Sequence, residues 1–273
     1  MRVFITGATG FVGSSLVERW EHNHEVGCYQ RGESVGAALT AFAPNAIVNC
    51  AVEIYDPALM FAANVELLRD VLEYALAHPA VKVVHLGSSS EYGPSCQATA
   101  ETFPLRPVDM YQATKGAATL LCQGYARHHG LDVCIARPYS VYGPNERSHR
   151  LFPRLVRAFC DGEAMTLFEG FHDFIHMDDF GRGIDLLFAS GRQTGEVYNF
   201  GSGVQTSNME VLHLFEQAAG RSAPSVERKE AFAKAFESNL WVCDTSHSCK
   251  TLGFETQITL ADGIRALLQR ANR

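Results

Sequence analysis

The chain has 273 residues, 47% of them hydrophobic and 19% charged, with a formal net charge of −7. Such a chain can bury a substantial core, in one large domain or in two interleaved ones. Its acidic balance argues against a nucleic-acid or anionic-membrane partner, and with no apolar run of bilayer length the expectation is a soluble cytoplasmic protein.

Arg2 to Thr6 is an apolar run that breaks into Gly7-Ala8-Thr9-Gly10-Phe11-Val12-Gly13, and an amphipathic stretch, Ser14 to Glu21, follows. The pattern predicts a strand, a tight turn and a helix. Amides at a helix start point outward with the positive end of the dipole, so a pyrophosphate can rest there without a cationic side chain. Glu25 to Tyr29 reads as a second strand. In a dinucleotide-binding fold the adenosine ribose lies beside its end, where an acidic residue suits NAD and an arginine suits the 2′-phosphate of NADP. Gln30-Arg31-Gly32-Glu33 stands at that place. Arg31 is the candidate phosphate ligand and Glu33 the weaker candidate for NAD, so NADP is the expected cofactor and NAD the alternative.

A short helical pattern, Ala37 to Phe42, leads to the apolar run Ala46 to Val52, which suits a central parallel strand. One strand-and-helix unit usual in such folds is missing between the second strand and this one. Asp56 to His78 has the apolar spacing of one long helix, and Val81 to Leu86 that of a strand ending in Gly87-Ser88-Ser89-Ser90-Glu91-Tyr92-Gly93. After a proline-rich loop, Tyr111 to His129 reads as a helix stopped at Gly130, and Leu131 to Ala136 as a strand. Further on, Leu151 to Cys160, Asn208 to Ala219 and Leu260 to Gln269 read as helices, and Glu196 to Phe200 as a strand. Strands alternating with helices predict an α/β fold with a doubly wound parallel sheet, whose ligands bind beyond the carboxyl ends of the strands. Gly7, Ala51 and Ser88 to Ser90 fall at such ends. The eight cysteines are scattered without a CxxC pair, which predicts buried thiols in a reducing compartment.

Tyr111 and Lys115 are four apart and share one helix face. Bringing a tyrosine to neutrality requires roughly 4 kcal/mol of preferential stabilisation of its phenolate, which a neighbouring ammonium and a positive nicotinamide ring can largely supply. A serine at the neighbouring strand end would hold the substrate oxygen against it.

With the glycine turn, the serine strand end and Tyr111-x-x-x-Lys115 together, the chain resembles the extended short-chain dehydrogenase/reductases, and among them the nucleotide-sugar epimerases, dehydratases and reductases. The likeness runs on through Arg137-Pro138-Tyr139-Ser140-Val141-Tyr142-Gly143-Pro144, Asp173 to Asp179, Val197 to Gly203 and Leu252-Gly253-Phe254. It implies a Rossmann-type domain over residues 1–140 with a return segment near 173–200, and a smaller substrate-binding domain, mainly 141–273. It implies that Gly7, Gly10, Phe11, Val12 and Gly13 hold the cofactor pyrophosphate, that Ala51, Val52 and Asn64 line the cofactor cleft, and that Tyr139 lies against the nicotinamide. Tyr111 becomes the general acid/base and Lys115 its partner. The Ser-Glu-Tyr-Gly ending favours Ser89 as the catalytic hydroxyl, whereas counting back from Tyr92 favours Ser88. Glu91 is a candidate for the carboxylate that removes water in the dehydratases.

The chain departs from this pattern where Ser140 replaces an asparagine and His172 replaces an arginine on the substrate side, and histidine lacks arginine's planar fork. The family pattern also explains His172, His176, Asp178 and Asp179 without a metal, so none is expected. The resemblance thus implies an NAD(P)-dependent enzyme acting on a nucleotide-linked sugar and paired as a homodimer through its two long helices. The alternatives are reduction of a non-sugar carbonyl, or a non-catalytic NADP-binding sensor or scaffold.

Overall fold

The computed structural model describes residues 1–223, 225–232 and 240–271. The first half alternates as the sequence predicts: β1 (Arg2–Thr6), α1 (Phe11–Trp20), β2 (Glu25–Cys28), α2 (Val35–Phe42), β3 (Ala46–Asn49), α3 (Pro57–Phe61), α4 (Leu67–Ala77), β4 (Lys82–Leu86), α5 (Met110–His129) and β5 (Val133–Pro138). The second half holds β6 (Ser140–Tyr142), α6 (Leu151–Cys160), β7 (Met165–Glu169), β8 (Phe171–His176), α7 (Met177–Ala189), β9 (Thr194–Phe200), β10 (Gln205–Ser207), α8 (Asn208–Ala219), β11 (Val226–Phe232), α9 (Ser246–Leu252) and α10 (Leu260–Ala271). The helix expected over 56–78 is broken: Ala62–Glu66 form a π-helical turn between α3 and α4.

Six strands make one sheet in the order β2-β1-β3-β4-β5-β9, with every neighbouring pair parallel. Side chains alternate across it. Phe4, Val133 and Ile135 pack on α2, α4 and α5, while Val3, Ile5, Cys134 and Ala136 face α1 and α7. Both faces are therefore buried, as a parallel sheet requires. A third core, around Phe152, Phe159, Phe174 and Phe215, joins α6, α8 and α10 in the C-terminal lobe.

Local chemistry sets the ends that matter here. Asp56 caps α3 with Pro57 as its first residue, Asp109 accepts from Gln112 N at the start of α5, and Gly130 in the left-handed region ends α5. The lobes are stitched by Asp173, which is fully buried on β8. Its carboxylate accepts from the amides of Ser202, Gly203 and Cys243, at 2.6, 2.9 and 2.9 Å. The segment around Cys243 thereby returns to the first half of the chain, where it bridges to Thr99. All eight cysteines are free thiols, and among the described residues no helix is long and apolar enough to cross a membrane.

Candidate active site

The site opens at the carboxyl ends of β1, β3 and β4. Gly7 leaves β1 with φ +70°, and Gly10 precedes α1 with no side chain capping the helix. The first amides of α1 are therefore the donors that a helix start leaves unpaired.

The end of β4 turns through Ser88 into a short 3-10 segment, Ser89–Tyr92. The Ser88 hydroxyl favours the ionised form of the Tyr111 phenol and lies 2.6 Å from Ser90 Oγ. Ser89 turns away into a small crevice beside Thr99 and Tyr139. Burial is the strongest influence on Tyr111 and raises its pKa; Ser88 opposes this, Glu91 adds to it, and the Arg150 guanidinium again opposes it. Lys115, one turn along α5, is buried and donates to the carbonyl of Leu86, the last residue of β4. Desolvation, the largest influence, lowers its pKa, and Glu91 works against that.

Glu91 is fully buried beneath the Ser88–Tyr92 turn and accepts from Ser88 N, from Thr119 Oγ1 and from Arg137 Nη2, each at 2.7 Å. Arg137 in turn donates to Tyr92 Oη, and Tyr92 donates to Asn199 on β9. A carboxylate with three donors and no exposure braces β4, α5 and β5 against one another. Asn64 is also held by several partners. It is buried on the π-helical turn, accepts from Glu53 N and donates to Glu53 O and Thr114 Oγ1, and Thr114 donates to the carbonyl of Tyr111. Asn64 thus ties the loop after β3 to the turn of α5 that carries Tyr111.

The remaining candidates fall on two sides of the cleft. Ala51 and Val52 follow β3 against the glycine turn. Arg31 follows β2, highly exposed, with Nη2 3.8 Å from Glu53 Oε2, while Glu33 folds back to accept from Gln30 N at 2.7 Å. Tyr139 is buried and hydrogen-bonded through its hydroxyl to Thr99. On the other side, Ser140 Oγ lies 3.2 Å from His172 Nδ1, so the two departures from the family pattern contact each other. His176 Nδ1 accepts from Asp178 N instead of pointing to His172. The loop after β6 reaches back across the opening: Asn145 Nδ2 donates to Glu18 on α1, and His149 Nε2 lies 2.8 Å from Tyr55 Oη. Of the residues that hold these groups, Glu53 has no signal in the sequence, Arg137 opens one of the motifs that carry the resemblance, and Arg150 belongs to the basic run Arg147-Ser148-His149-Arg150, which reads as a solvated turn or as a group approaching a substrate diphosphate.

A doubly wound parallel sheet with an uncapped glycine turn at the end of its first strand is a dinucleotide-binding fold. The chain belongs to the NAD dependent epimerase/dehydratase family, whose model matches residues 3–201, within the extended short-chain dehydrogenase/reductases. It is similar to dTDP-glucose 4,6-dehydratase of Streptomyces griseus, 32% identical over 217 residues, a match that spans 78% of this chain and 65% of that relative. UDP-glucose 4-epimerase of Mycolicibacterium smegmatis is 27% identical over 313 aligned positions, spanning 97% of this chain and 96% of the relative. The structure of DesIV, the dTDP-glucose 4,6-dehydratase from Streptomyces venezuelae with NAD bound, matches at a TM-score of 0.87 and 25% identity, covering 100% of this chain and 98% of that one.

The glycine turn fits the dinucleotide that names this family. A Cβ on Gly7 would stand 2.7 Å from Ala51 N, and one on Gly13 would stand 2.2 Å from Gly7 O. Only glycines let α1, β1 and β3 close so tightly around outward-pointing amides.

Proposed function

We propose that the chain is an NAD(P)-dependent enzyme acting on a nucleotide-linked sugar. Tyr111 is its proton-transfer group, Ser88 the hydroxyl that orients the substrate oxygen, and Lys115 the cation that anchors the cofactor side. The observation that carries this reading is that α5, which bears Tyr111 and Lys115 one turn apart, is tied to the end of β4 by the bond from Lys115 to the Leu86 carbonyl, two residues before Ser88. When bound, the dinucleotide supplies the hydride acceptor and a positive ring beside the phenol. Tyr111 takes the proton of a sugar hydroxyl as that carbon is oxidised, and Ser88 holds the resulting carbonyl oxygen. Burial raises the pKa of Tyr111, so the phenolate that takes this proton depends on nearby positive charge, from the Arg150 guanidinium, from Lys115 and from the nicotinamide ring when the dinucleotide is bound.

With Glu91 enclosed by Arg137 and Thr119, the reading favours epimerisation, oxidation or the reverse reduction over loss of water. Tyr139 belongs to the nicotinamide side, and Ser140 and His172 to the sugar-nucleotide side. A second reading, reduction of a non-sugar carbonyl, draws on the Ser140–His172 contact, which offers no permanent positive charge to a diphosphate. Exposed Leu59 and Phe61 on α3 and exposed Met110 and Leu120 on the adjacent α5 support a homodimer through these helices. Free thiols throughout suit a cytoplasmic setting.

The test is Tyr111→Phe, assayed with UDP- and dTDP-hexoses. Turnover should fall about a hundredfold to ten-thousandfold while the dinucleotide dissociation constant stays within about threefold. Turnover close to that of the unaltered protein would overturn the mechanism. A response to simple ketones but to no nucleotide sugar would favour the second reading.

A further inference from the structure

Arg31 and Glu53 stand on opposite sides of the glycine turn. In the sheet, β2 and β3 flank β1; Arg31 follows β2 and Glu53 follows β3. Their side chains meet, guanidinium to carboxylate at 3.8 Å, yet they differ in how they are held. Arg31 is 82% exposed, a long side chain with many rotamers, whereas Glu53 is only 15% exposed. One oxygen of Glu53 accepts from the amides of Ile54 and Tyr55, both at 3.0 Å, and of Asp56 at 3.3 Å. Its backbone is clamped on both sides by Asn64. Those amide hydrogen bonds, with that of Tyr55 foremost, hold the carboxyl below the usual carboxylate range. Glu53 is therefore a permanent, fixed anion, and Arg31 a mobile cation partly neutralised by it.

We propose that Glu53 selects NAD over NADP by occupying Arg31 and placing a fixed negative charge beside the adenosine ribose. The inference rests on reading the glycine turn as a dinucleotide site. A 2′-phosphate carries nearly two negative charges, and any group gripped by Arg31 shares its surroundings with Glu53. The attraction from one side is thus offset by repulsion from the other. A ribose diol has the opposite needs, because its hydroxyls donate and a carboxylate accepts. Glu33, the acidic candidate on the β2 side, is already engaged with Gln30 N. The choice made at this ribose thus falls to a residue one strand further across the sheet than Arg31.

The experiment measures dissociation constants of NADH and NADPH, by nicotinamide fluorescence, for the full chain and for Glu53→Gln, Arg31→Ala and the double variant. Glutamine keeps an acceptor for the three amides, so the loop is preserved. The unaltered protein is expected to bind NADH more tightly, and Glu53→Gln to tighten NADPH about tenfold with NADH within about threefold. Arg31→Ala should weaken NADPH little in the unaltered protein, but should erase the whole gain in the Glu53→Gln background, a non-additivity that loss of folding would not produce. An NADH-to-NADPH ratio unchanged by Glu53→Gln would overturn the role of Glu53 alone. A strong loss of NADPH on Arg31→Ala alone would do the same. Binding of neither dinucleotide would overturn the site reading and this inference with it.

Discussion

Glu146 lies on the loop after β6 with its side chain 4% exposed, one carboxylate oxygen 3.3 Å from Arg150 Nε, the other buried with no hydrogen-bond partner among the described residues. Burial pushes its carboxyl up to about 7, with Arg150 pulling the other way, whereas in the unfolded chain a glutamate titrates near about 4.3. Folding therefore takes up a proton between those values. Its contribution to stability is fully present below about pH 4 and is lost as pH rises through about 7. Urea midpoints should fall between pH 5 and pH 8, by the equivalent of about 3 kcal/mol at most. Glu146→Gln should flatten that slope and be the more stable protein at pH 8; a slope that survives the substitution would assign it to other groups. At this scale the sequence is informative about chemistry and silent about pairing. Tyr111, Lys115 and the glycines stand out because their spacing is itself the signal. Glu91 and Asn64 are placed in the site by motif position alone, and of the partners that enclose them Arg137, Thr119 and Thr114 come from segments far away in the chain.

Among the elements, those with a long and clean period were legible: α6 and α8 have the predicted ends, and β1 to β5 lie where the apolar runs put them. β6, β7, β8, β10 and β11 were not, because short strands in small sheets mix exposed and buried positions and carry no sustained alternation. The π-helical turn was hidden for another reason, since one extra residue per turn barely disturbs a helical apolar pattern. The β1–α1 turn shows how little freedom an element end can have. Gly13→Ala would set a methyl 2.2 Å from a backbone oxygen, so α1 must lift from β1. Dinucleotide affinity should fall more than about tenfold, with a stability loss of about 1–3 kcal/mol. Gly124→Ala, on the exposed side of α5 with nothing within 4 Å of the new methyl, should instead raise stability by about 0.5–1 kcal/mol. Thermal melts of both variants, with a dinucleotide titration of the first, check the contrast.

For the molecule as a whole, fold class and the sense of the chain through the sheet followed from alternation, and the six parallel strands follow that rhythm. The C-terminal lobe was far less legible. It is held by features that have no period: one buried aspartate receiving three amides from two distant segments, and a segment that returns to Thr99.

The last strand of the main sheet, β9, is made long after β5, the strand it covers. Chain order then becomes a matter of timing during synthesis. Until Thr194–Phe200 leave the ribosome, β5 presents a bare, apolar parallel edge, which is a template for pairing with another nascent chain. Chains ending at residue 190 should accumulate as insoluble or chaperone-bound protein, whereas chains ending at residue 205, which carry β9, should recover protease resistance in the first half. Equal resistance of the two would show that the sheet closes without its sixth strand.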